Sequence, residues 1–163
     1  MILVTPCFAF ATTTNTLVSR TIGTGHPDQV FGTIIKIIKN CLICTMPIIL
    51  ILAIIPIQVI SIYTEDSNLA MLAIPSIYVI CVSSIFQVVG NSYFEAVSGT
   101  GNTSAALYLE AAILVIYTLY VFMMTHVCNG VQWVWTAEIL YGGLLAIVCY
   151  MYMKLAKWKE KRI

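Results

Sequence analysis

The chain has 163 residues, 60% of them hydrophobic and only 9% charged, with a formal net charge of +1 and a mean hydropathy of +0.95. A soluble domain carries about 25% charged residues because its surface must face water, so this composition excludes a water-soluble globule. It also excludes a nucleic-acid partner, since the one basic cluster, Lys154 to Arg162, is a short C-terminal stretch. Charge-free runs over 1–19, 40–64, 67–94 and 111–137 each come near the roughly 20 apolar residues a helix needs to cross a bilayer. They are apolar on every side, whereas the strands of a membrane barrel alternate. The expected fold is an all-α integral membrane protein whose principal partner is the lipid bilayer. Its five transmembrane helices are expected over 2–22, 40–61, 68–98, 103–127 and 131–157, forming one lobe over 1–157 with a basic cytoplasmic tail over 158–163.

The first helix is rich in threonine, and Thr12, Asn15, Thr16 and Ser19 share one face. Small hydroxyl residues serve helix packing in membranes. Asn15 is also a candidate ligand contact, because an amide in hydrocarbon is costly unless it meets protein, water or a ligand. The stretch Gly23-Thr24-Gly25-His26-Pro27-Asp28 reads as a turn, with Asp28 placed to cap the next helix. That helix begins amphipathic, with Lys36 and Lys39 reaching for the headgroups. It then spans from Asn40 to Ser61, with Pro47 and Pro56 read as fixed bends. Tyr63 to Ser67 forms a short polar loop on the far side.

The third helix carries the most informative pattern. Ser84, Gln87, Asn91 and Glu95 follow one another at spacings of three, four and four, which places them on one face at 3.6 residues per turn. The helix breaks at Gly99-Thr100-Gly101-Asn102, and the fourth helix restarts with Glu110. A polar stripe inside an apolar span marks a place that faces protein, water or a ligand. The candidate ion- or substrate-binding residues are therefore Glu95, Asn91, Gln87, Glu110, Asn15 and Ser84. If the faces of Glu95 and Glu110 meet, the two carboxylates share a proton; the alternative is a hydrogen-bonded cluster that ties helices together. Glu138, in the fifth helix, reads as an anchor to a neighbouring helix. Tyr93, Tyr108, Tyr117 and Tyr120 offer rings for organic cations, although helical spacing favours ordinary packing.

No enzyme is expected. The sequence has no nucleophile–base spacing, no HExxH and no paired aspartates at membrane depth, so no catalytic residue is assigned. Cys41 and Cys44 form a CxxC with no second pair and no histidine nearby, so no metal is expected, and no cofactor beyond a coupling ion. Orientation follows from the basic residues. Arg20, Lys36 and Lys39 flank the first connection, and Lys154, Lys157, Lys159, Lys161 and Arg162 follow the last helix, while the connections near Glu65 and Asn129 carry none. The positive-inside rule puts the C-terminus in the cytoplasm and Met1 outside, in the inner (plasma) membrane. A chain that starts outside implies at least one further helix upstream.

Two stretches carry a resemblance. AFATTTNTLVSRTIGTGHPD, from Ala9 to Asp28, ends an outgoing helix in a Gly-x-Gly turn. FEAVSGTGNTSAALYLEAAILVIYTLY, from Phe94 to Tyr120, is followed by Trp135-Thr136-Ala137-Glu138-Ile139-Leu140-Tyr141. Together they resemble the C-terminal half of MATE-family (multidrug and toxic compound extrusion) transporters, across essentially the whole chain. The resemblance implies most of one six-helix lobe of a twelve-helix antiporter, covering spans eight to twelve. Its further partner would be the missing N-terminal lobe of the same protein. The implied activity is export of cationic or amphipathic small molecules, a multidrug efflux, by antiport with sodium ions or protons. Many bacterial relatives carry an aspartate on the tenth helix, at the place held here by Gln87; Glu95, the first lobe or the seventh helix would then supply the coupling carboxylate. The competing readings are a flippase for lipid-linked precursors of related fold and a non-transporting, truncated membrane subunit.

Overall fold

The two GTG stretches are turns, and their chemistry is visible in the backbone. Gly25 and Gly101 each adopt φ +80°, a left-handed conformation that a side chain disfavours. The computed structural model describes residues 4–64, 66–128, 130–155 and 158. Glu65, Asn129, Lys157, Lys159, Lys161 and Arg162, which enter the orientation argument, lie outside the described residues. The elements in chain order are α1 (Val4–Gly23), a 3-10 turn (Pro27–Gln29), α2 (Val30–Ile54), α3 (Pro56–Ile60), α4 (Ser67–Gly99), α5 (Thr103–Val127) and α6 (Val131–Leu155).

Four segments, Pro27–Ile54, Asn68–Gly99, Thr103–Val127 and Val131–Leu155, are long and apolar enough to cross a membrane. The chain is thus an all-helical, multi-pass membrane protein. The fifth expected span differs: α1 is long enough, but its threonines and Asn15 keep its hydropathy below the others. Those threonine hydroxyls are satisfied within the helix, Thr13 Oγ1 donating to Ala9 O at 2.8 Å and Thr14 Oγ1 to Phe10 O at 2.9 Å.

The second helix also departs from expectation at both ends. It starts at Val30, so Lys36 and Lys39 stand on the same continuous helix as the apolar segment. It stops at Ile54 because Pro56 forces Ile55 out of helical geometry (φ −125°, ψ 50°), and Pro56 then opens α3 at its first turn. Pro47 and Pro75 lie inside α2 and α4 without ending them. Asp28 is not the cap of α2: it sits within the 3-10 turn, and the N-cap residue is Gln29, with no side-chain cap bond.

Two caps do form. Asp66 accepts from Asn68 N at 2.8 Å to start α4. Asn102 accepts from Ala105 N at 3.4 Å to start α5, and its amide donates to Tyr152 OH at 2.6 Å, tying that start to α6. Replacing Asn102 with alanine removes both contacts. We expect a loss of about 1 kcal/mol, read as a lower melting temperature of the solubilised protein.

The helix α4 is the axis of the bundle; its most extensive contacts are with α6 and then with α1. Glycines permit the closest crossing. A Cβ at Gly90 would meet Gly142 O at 2.6 Å, and one at Gly142 would meet Gln87 N at 2.9 Å. Small residues let backbones approach this closely, which is how helices associate when lipid removes the hydrophobic drive between them. Similarly, Gly99 lies against Asn15 O, and Ser19 Oγ donates to Gly99 O at 2.9 Å, joining α1 to the end of α4.

The main core gathers at the GTG end of the bundle: Val18, Ile34, Val97, Leu145 and Met153 pack there with Trp158. Trp158, within the expected basic tail, is 3% exposed and donates from Nε1 to Met153 O at 2.7 Å. The outer faces are apolar. Leu107, Leu114, Val115, Leu119 and Phe122 of α5 stand exposed, as a helix does when its solvent is lipid.

Candidate functional site

Above the packed end, α1, α4, α5 and α6 part around a cavity of about 450 Å³. The register of α4 dictates its lining. Ser84, Gln87, Asn91 and Glu95 point into the same space, because residues three and four apart stack on one helix face. Glu110 of α5 and Glu138 of α6 complete it, so three carboxylates from three helices line one cavity. None of the lining residues is lysine, arginine or histidine.

Each carboxylate is held by neutral donors. Asn15 Nδ2 donates to Glu95 Oε2 at 2.8 Å. Gln87 Nε2 donates to Glu138 Oε2 at 2.7 Å, and Tyr117 OH donates to Glu138 Oε1 at 2.9 Å. Tyr141 OH reaches Glu110 Oε1 at 3.5 Å. Asn91 Nδ2 donates to Gln87 Oε1 at 2.9 Å, so Asn91, Gln87 and Glu138 form one chain across the α4–α6 interface. Among the described residues, no buried side-chain polar atom lacks a partner.

The three acids differ in what remains free. Both oxygens of Glu138 accept bonds from other helices, which makes it an anchor between α4, α5 and α6. Glu95 and Glu110 each keep one oxygen without a protein donor among the described residues. Spare lone pairs of a carboxylate facing a polar hollow suit a cation, since a carboxylate in its ionised form accepts only. The same described residues contain no group of three or more His, Cys, Asp or Glu close enough to hold a metal ion.

The expected residues separate into two layers. Ser84, Gln87, Asn91, Glu95 and Glu110 line the cavity. Asn15 is not among the lining residues and acts on the cavity through its bond to Glu95. Ser84 Oγ donates back to Ile80 O at 2.8 Å, so it presents only lone pairs inward. Glu95 and Glu110 share the cavity without bonding each other; Asn15 and Tyr141 are their partners.

The four tyrosines pack or face outward, as helical spacing favours, and none lines the cavity. Tyr108 is exposed on the outer face of α5, Tyr93 packs edge-on against Tyr150 at 5.6 Å, and Tyr120 pairs with Thr136. Tyr117 holds Glu138 and stacks edge-on with Tyr141 at 5.8 Å. The rings that line the cavity are Phe8, Phe94, Trp135 and Tyr141. Glu138 is the inter-helix anchor its sequence position suggests, and it also lines the cavity. The signal for it was present: Glu138 is the single charge between Glu110 and Lys154, and an isolated ionisable residue inside a membrane segment points to function by default.

A family model described as MatE matches residues 1–133. No curated protein and no solved structure matches the chain.

Proposed function

The chain belongs to the MatE family of membrane transporters, and on that premise we propose that the carboxylate-lined cavity is where a cationic or amphipathic compound exchanges with sodium ions or protons. The observation that carries the reading is three acids and no basic residue around one hollow of about 450 Å³. Such a lining makes the cavity attractive to positive charge in a low-dielectric surround. Phe94, Trp135 and Tyr141 add ring faces that favour organic cations. Glu95 and Glu110 are the exchanging groups of this proposal, with Asn91 and Gln87 as polar wall and Glu138 as the post that keeps α6 in place.

In this reading α1 is a fifth transmembrane helix, its polar residues turned to α4 through the Asn15–Glu95 and Ser19–Gly99 bonds. The GTG end, beside Arg20 and Lys36, faces the cytoplasm, and the membrane is the plasma membrane. A second, N-terminal lobe of the same protein completes the transporter; the resemblance to a two-lobe antiporter supports that partner.

Binding of a lipophilic cation tests the reading. Tetraphenylphosphonium added to the solubilised chain is expected to quench tryptophan fluorescence through Trp135, with competition by sodium ions or by protons. In Glu110→Gln the affinity should fall about tenfold, the value of one charged contact. Equal affinity in the wild type, Glu95→Gln and Glu110→Gln would remove the acids from cation binding.

A further inference from the structure

A second hollow, of about 360 Å³, lies between the end of α1 and the start of α2, outside the carboxylate cavity. Its character is opposite. Arg20 and His26 line it, together with Gln29, and no acidic residue does. Among the described residues no carboxylate pairs with the Arg20 guanidinium. An arginine set in a polar groove presents a planar fork of donors matched to a phosphate or carboxylate.

The remaining groups narrow the ligand. Thr21, Thr24 and Thr33 donate their hydroxyl protons to Leu17 O, Thr21 O and Gln29 O at 2.7, 3.0 and 3.1 Å. Toward the groove they therefore offer acceptors, while Arg20, His26 and Gln29 supply the donors. A monoanionic phosphodiester whose other substituent carries a hydroxyl or ammonium group satisfies both sets. Leu17, half-buried, closes the wall on the side away from the turn, where an apolar ligand portion would lie. Lys36 follows Thr33 by three positions on the same face of α2 and is exposed.

We propose that this groove binds a phosphodiester headgroup, bridging α1 and α2 through Arg20, His26 and Gln29. The source is either a phospholipid standing beside Leu17 or a free organic phosphate. The groove shares no lining residue with the carboxylate cavity, so a bound headgroup sets the angle between α1 and α2 without entering the exchange site.

The test uses the full chain in a neutral detergent, titrated with phosphatidylglycerol, with the water-soluble phosphodiester glycerophosphoglycerol and with uncharged diacylglycerol, and read by native mass spectrometry. Adducts with phosphatidylglycerol and not with diacylglycerol are expected, and Arg20→Ala should weaken them about tenfold. Gln29→Glu places a negative charge in the groove at the start of α2, where an acid suits the helix; this variant keeps the fold and should lose the adducts to a similar degree. Glycerophosphoglycerol binding as tightly as the lipid would identify a free organic phosphate as the ligand; lipid binding alone identifies the membrane. Equal phosphatidylglycerol adducts in the wild type, Arg20→Ala and Gln29→Glu would overturn the proposal.

Discussion

Glu95→Gln is expected to cut efflux strongly in cells that express the transporter, while the protein still reaches the membrane. Glutamine keeps the shape of the side chain and one carbonyl oxygen, so Asn15 Nδ2, now 2.8 Å from Glu95 Oε2, retains an acceptor. What disappears is the charge and the ability to bind a proton. A lost charge-assisted contact of about 2 kcal/mol corresponds to roughly a thirtyfold fall in rate or affinity. The contrasting change is Asn15→Ala, which leaves the acid in place and removes its holder, and should act on α1–α4 packing first. Normal efflux in Glu95→Gln, together with a lowered melting temperature, would make Glu95 an anchor and remove it from the exchange.

The second large effect is mechanical. Alanine at Gly142 would bring its Cβ to 2.9 Å from Gln87 N and from Phe86 C; alanine at Gly90 would bring its Cβ to 2.6 Å from Gly142 O. Both clashes are with backbone, which no side-chain rotation relieves, so α4 and α6 must move apart. Overpacking of this kind costs about 1–3 kcal/mol. The separation also stretches the Gln87–Glu138 bond of 2.7 Å, which crosses the same interface. Either variant should therefore lower the melting temperature and impair transport together. Gly143→Ala is the control: its Cβ would meet only Phe86 Cδ1 at 3.9 Å, an ordinary contact, and stability should stay near the wild-type value. A Gly142→Ala protein as stable as the control would show that the two helices are not held by this crossing.

These two experiments probe different parts of one arrangement. The Gly90–Gly142 crossing sets the distance between α4 and α6, and that distance lets Gln87 reach Glu138. Glu138, fixed by Gln87 and Tyr117, holds one wall of the cavity, while Glu95 and Glu110 keep free oxygens toward its interior. Packing, polar satisfaction and binding are thus layered in that order, from the helix axis outward.

Much of this was legible in the residues. Runs without charge announced membrane helices, since an ionised side chain in hydrocarbon is too costly to occur by chance. The three-four-four spacing by itself places Ser84, Gln87, Asn91 and Glu95 on one face, because helical periodicity is a local property. The GTG turns were equally local, and both second glycines do take a positive φ. Three features needed the tertiary structure. One is the pairing of each acid, Asn15 with Glu95 across 80 positions and Gln87 with Glu138 across 51. Another is the choice of rings at the cavity, Phe8, Phe94, Trp135 and Tyr141, which come from three different helices. The last is the groove at Arg20, formed where two helices meet. Sequence determines which face of each helix is polar. Which faces meet depends on how closely the helix axes approach, and here that was decided by glycines whose contact partners lie on other helices.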